Sequence, residues 1–120
     1  GNASPGSTIK FHLVDPSHPG APYFLAFAFG TSPGLILPDG RVIPLNYDDL
    51  LLLSLNNPAS IGLSNNIGYL NNNGYANVTL TIPNNSAFVG QTFYAGFITV
   101  NNPATQVLGI SPAVNVTILP

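Results

Sequence analysis

Apolar and polar positions alternate along this chain with a period of two, and seldom fall at the three-to-four spacing of a helix. From Thr8 to Val14, Ile9, Phe11 and Leu13 share one face while Lys10 and His12 share the other, which predicts a half-buried first strand. Tyr23 to Phe29 is apolar at every position. Tyr23, Leu25, Phe27 and Phe29 would face one way and Phe24, Ala26 and Ala28 the other. That pattern predicts a central strand covered on both sides. Thr92 to Val100 predicts another strand, stopped by Asn101-Asn102-Pro103. Gln106 to Ile110 and Ala113 to Leu119 close the chain, with Val114, Val116 and Ile118 on one face.

Turn residues divide these runs. Gly34 to Leu45 predicts a hairpin reversing at Asp39-Gly40. Ile67 to Leu70, then Asn71-Asn72-Asn73-Gly74, then Tyr75 to Ile82 predicts a second hairpin, because Asn-Gly supplies the positive φ angles of a tight turn. In its return strand Ala76, Val78, Leu80 and Ile82 would face in, and Tyr75, Asn77, Thr79 and Thr81 out. Leu50 to Leu55 fits a short strand or a single helical turn capped by Asn46 or Asp48, and periodicity does not choose between them. Twelve glycines and twelve prolines leave little room for longer helices. The expectation is an all-β fold: a single β-sandwich of about eight mostly antiparallel strands, immunoglobulin-like in general architecture. Residues 1–120 form one domain, with 1–7 as an N-terminal arm or donor strand.

Composition changes the picture in one respect. Apolar residues make up 45% of the 120, but charged residues only 5%, against about 25% in a typical soluble domain. The surface must be polar without charge, and clustered asparagines serve that purpose. A formal net charge of −2 gives little repulsion between copies. Lys10 and Arg41 are the only Lys or Arg side chains, so no phosphate footprint can be built and nucleic acid is excluded as a partner. No apolar run approaches the roughly 18 residues of a membrane span. Without cysteine there is no disulfide, no thiolate metal site and no thiol catalysis. Absence of both sulfur residues suits an oxidising exterior. The small polar opening Gly1 to Gly6 reads as the processed end of a secreted chain.

Candidate chemistry is sparse. His12, Asp15 and His18 are spaced at threes around a Pro-rich loop, but that spacing does not converge side chains in an extended chain. No serine is marked as a nucleophile beside either histidine, so no catalytic residue, cofactor or metal site is assigned and the chain reads as a non-enzyme. Asp39, Asp48 and Asp49 could offer calcium a carboxylate, yet a turn explains the first and a helix cap the second. Tyr69 and Tyr75 flank the Asn-rich turn and would form a sugar-stacking pair if the two rings lay together. Asn2, Asn77, Asn84 and Asn115 each begin a glycosylation sequon.

The order of motifs from Ile36 onward is also familiar. It runs Leu37-Pro38-Asp39-Gly40-Arg41-Val42-Ile43-Pro44-Leu45, Asp48 before the leucines, Gly68-Tyr69-Leu70 through Tyr75-Ala76, and Leu80-Thr81-Ile82-Pro83. Val89-Gly90-Gln91-Thr92-Phe93-Tyr94-Ala95 and Ile110-Ser111-Pro112 follow. In this the chain resembles a small β-sandwich domain that recurs in secreted, functionally uncharacterised proteins of environmental bacteria. Asn71 to Asn73 departs from that pattern, where related sequences more often carry Asp. The resemblance implies a fold and a secreted location, and no chemistry. The expectation for function is a secreted structural protein that associates with copies of itself in an extracellular filament, sheath or surface layer. The alternative is a glycan-binding or adhesion module at the cell surface.

Overall fold

The computed structural model describes residues 2–120. Its strands are β1 (Asn2–Ala3), β2 (Thr8–Val14), β3 (Pro22–Ala28), β4 (Leu35–Ile36), β5 (Val42–Ile43), β6 (Leu63–Ser64), β7 (Ile67–Tyr69), β8 (Tyr75–Thr81), β9 (Thr92–Val100), β10 (Val107–Ile110) and β11 (Val114–Ile118). One helix, α1 (Asp49–Asn56), lies between β5 and β6. The chain is thus mostly strand, and every pairing among the described residues is antiparallel except β1 with β11. Among the described residues, no helix is long and apolar enough to cross a membrane.

Three sheets are formed. The largest runs β1-β11-β9-β3-β7, with β10 pairing β9 beyond β11. The second runs β2-β8-β6, and β4 pairs β5 in the third. Eleven strands in three sheets replace the expected count of about eight, because several are only two residues long. The two larger sheets share one buried cluster. Tyr23, Leu25 and Phe27 of β3, Phe93 and Ala95 of β9, and Val116 and Ile118 of β11 meet Leu13, Val78 and Leu80 from the second sheet. Phe27 stacks at a tilt on Phe93, with ring centroids 4.8 Å apart.

β3 is the central strand that its two apolar faces require. Its second face is covered by α1 and by the segment around β4 and β5. Ala26 and Ala28 form a second cluster with Leu45 and Leu51. Gly96 of β9 lies against the same leucine, where a Cβ would make ordinary contact with the Leu45 side chain at 3.5 Å. The leucine run is helical, because Asp48 caps it by accepting the Leu51 N–H at 2.9 Å. Only Leu51 of its five leucines is fully buried. A polar bridge fastens the helix to β3: Ser54 Oγ accepts the Phe27 N–H, and buried Asn66 donates to the carbonyls of Leu25 and Ser54.

Two expectations are corrected. The turn at Asn71–Gly74 is present, but the strands on either side do not pair as a hairpin. β7 joins β3 in the first sheet and β8 joins β2 in the second. Gly20 N–H bonds to Asn71 O, and Asp15 N–H to Gly74 O, so each side of the turn is tied to a different sheet. Gly74 has φ +83° and approaches Asp15 so closely that a Cβ would lie 2.5 Å from its carbonyl oxygen. The second correction concerns Phe29. It lies outside β3 and is 56% exposed, because the chain leaves the sheet after Ala28.

Residues 2–7 dock on their own chain. Asn2 and Ala3 pair with Thr117 and Ile118, and Leu119 N–H bonds to Ala3 O. The turn Ser4-Pro5-Gly6-Ser7 then carries the chain across to β8, where Gly6 N–H reaches Ile82 O. Gly1, the first residue of the predicted arm, lies outside the described residues.

Candidate functional site

The loop after β2 holds a polar group that links the two larger sheets. Asp15 leaves the strand and turns toward β9, where its Oδ2 accepts the Thr99 hydroxyl at 2.7 Å. His18 Nδ1 lies 2.9 Å from the same oxygen. The Thr99 oxygen accepts the Gly109 N–H at 2.9 Å, at the irregularity where β10 meets β9. Sequence spacing therefore brings Asp15 and His18 together and excludes His12. His12 sits on the outer face of β2, where Nδ1 meets Asn77 Oδ1 at 3.0 Å and the ring packs on Tyr75.

This line of contacts works as a clamp between the sheets. Thr99 is 0% exposed, and both its proton and its oxygen are engaged, so it offers no nucleophile to a substrate. Asp15 is sequestered by the same bonds. Periodicity could not reveal the pairing, since Asp15 and Thr99 are 84 residues apart. The absence of side-chain bulk at Gly109 was the only trace: a Cβ there would lie 2.5 Å from Asp15 Oδ2.

Two of the other three acids, Asp48 and Asp39, are engaged by nearby groups. Asp48 receives Leu51 N–H on one oxygen and Phe29 N–H on the other, at 2.8 Å. Asp39 is held below the usual carboxylate range, first by the Arg41 backbone N–H and then by its side chain. Among the described residues, no three His, Asp or Glu side chains gather as a metal site.

Tyr69 and Tyr75 do not share a face. Tyr69 is opposite Pro22 and Ile67 opposite Phe24, so both lie on the side of the first sheet that carries α1. Tyr75 lies on the outer face of the second sheet beside His12. The four sequon asparagines, Asn2, Asn77, Asn84 and Asn115, are all exposed.

Two hollows remain. An apolar cleft of about 230 Å³ lies between α1, β8 and the 3-10 turn Ser86–Phe88, with Phe29 and Leu53 in its wall. A slot of about 530 Å³ runs between β2 and β10–β11, lined by Phe11, Leu13, Leu25, Phe97 and Val114 among others. It is the gap where the edges of the two larger sheets fail to close on each other, and it leaves Val114 half exposed although Val116 and Ile118 on the same face are buried. No protein-family model, no curated protein and no solved structure matches the chain.

Proposed function

We propose that this protein is a secreted structural subunit, without catalysis of its own, that associates with copies of itself in an extracellular filament, sheath or surface layer. The two larger sheets are read as a β-sandwich of immunoglobulin-like general architecture, a frame well suited to repeated packing. The observation that carries the proposal is the balance of the surface. Among the described residues, eleven large apolar or aromatic side chains are exposed, including Phe29, Ile36, Tyr47, Ile67 and Tyr69. Only six residues of the whole chain are charged at neutral pH. Such a surface gains by covering itself and has little repulsion to prevent it.

The N-terminal arm offers one route. It is held by a two-residue pairing and turns at Pro5-Gly6, so a neighbour's arm can replace it bond for bond. The four exposed sequons fit an extracellular setting and give the surface further polar cover where glycans are attached.

Sedimentation velocity over a wide concentration range, followed by negative-stain microscopy, tests the proposal. Concentration-dependent growth into regular oligomers or fibrils is expected. A monomer at every concentration, with no ordered assembly under any condition, would overturn it.

A further inference from the structure

The edges of the sheets are treated unequally. β1, β6 and β7 are edge strands of two or three residues. β10 is longer, but Arg41 reaches across and donates to the carbonyls of Val107 and Leu108. Short strands and such covering are the usual means of blunting an edge. β2 has neither. It is seven residues long, unbroken in register against β8, and borders the second sheet.

The direction of its backbone groups follows from the ladder. Ile82 N–H bonds to Ser7 O and Asp15 N–H to Gly74 O, which fixes the odd-numbered residues as those facing β8. By alternation, the N–H and C=O groups of Thr8, Lys10, His12 and Val14 point away from the sheet. Among the described residues, no hydrogen bond from elsewhere reaches them.

We infer that β2 pairs antiparallel with β2 of a second copy, about a two-fold axis at Phe11. This deepens the self-association proposed above and rests on it. In this register Lys10 lies opposite His12 of the second copy, and Thr8 opposite Val14. On the inner face Ile9 meets Leu13, and Phe11 meets Phe11, so the apolar row beside the open slot continues across the pair. A slip of two residues one way sets Lys10 against Lys10, and like charges directly opposite are destabilising. The other way it sets His12 against His12 and leaves Thr8 opposite Pro16, beyond the end of the strand. A slip of one residue turns the apolar face of the second copy outward. The single lysine and the length of the strand together select the register. A two-fold contact of this kind closes a dimer, so longer assemblies need a second contact, and the arm supplies one.

Because the chain has no cysteine, single-cysteine variants report contacts without background. K10C and H12C are made separately and mixed under mild oxidation. Directly opposed Cα atoms in a hydrogen-bonded pair lie about 5.5 Å apart, within disulfide reach, whereas diagonal positions lie about 7–8 Å apart. The expected product is the mixed K10C–H12C dimer, in several-fold excess over either homodimer. Dominant K10C or H12C homodimers would overturn the register. Association of the unmodified chain with no cross-link in any combination would overturn β2 as the contact while leaving self-association standing. A second variant, H12P, removes an outward N–H without touching the ladder to β8. It also gives up the exposed His12 contacts with Asn77 and Tyr75, so the urea midpoint falls somewhat, but the circular dichroism spectrum should be kept while dimerisation weakens at least tenfold. Undiminished dimerisation of folded H12P would likewise overturn the proposal.

Discussion

Single residues in this fold do work that their neighbours in sequence do not announce. Tyr23 is one: its ring is buried in the shared core, and its hydroxyl donates to the Asn65 carbonyl at 2.6 Å. Gly68 leaves it room, since a Cβ there would stand 3.0 Å from the hydroxyl. Burial raises the Tyr23 pKa above the ordinary tyrosine value, so folding favours its neutral form. The sign follows directly. Its contribution is fully present below the unfolded value of about 10, and is lost as pH rises from there toward the folded value. Urea titrations at neutral pH and above about pH 10 should therefore show a fall in stability that Tyr23→Phe reduces. At neutral pH the same variant should cost about 1 kcal/mol, for the lost hydrogen bond. A pH response identical in the two proteins would show that Tyr23 does not carry it.

Elements depend on a few such contacts for their type and place. Asp48 starts α1 and also holds the Phe29 N–H where the chain leaves β3. Asp48→Ala should cost about 1–2 kcal/mol by thermal or urea unfolding, and Asp48→Asn should recover most of it. Equal loss in both variants would mean that the cap contributes through charge alone. The cap was legible as one of two candidates, Asn46 and Asp48, and the bounds of β2 and β9 were legible outright, because alternation and turn residues act locally. The helix itself was not decided by pattern: five leucines in six residues carry no period, and the Asp48 cap with the Ser54 and Asn66 bridge settles it. The Asn71–Gly74 turn was read correctly and its strands were not. Asn71 Oδ1 accepts the N–H groups of both Asn73 and Tyr75, which closes the turn whichever sheets its ends enter. Pairing was decided by β3, which needs a neighbour on the side where β7 lies. The Asp15–Thr99 clamp was illegible for the same reason, being a contact between distant parts of the chain.

At the scale of the molecule, the proposed association of copies would be governed by the missing charge. Contacts built from apolar side chains and strand edges are barely screened by salt. Association measured from about 10 mM to about 1 M sodium chloride should therefore change little, since screening over that range removes long-range charge effects. Sodium sulfate should strengthen it by favouring burial. A collapse of association in sodium chloride would instead point to the few ion-bearing residues as the contact. The way the chain is fastened has a mechanical side as well. β1 runs parallel to β11. Tension that enters ahead of Asn2 and leaves after Ile118 draws these strands in opposite directions along their length. It loads the bonds between them in shear, together rather than one after another. In an assembly under load, this two-residue clasp is where the subunit first bears the pull, and its release would leave the core between the two larger sheets intact.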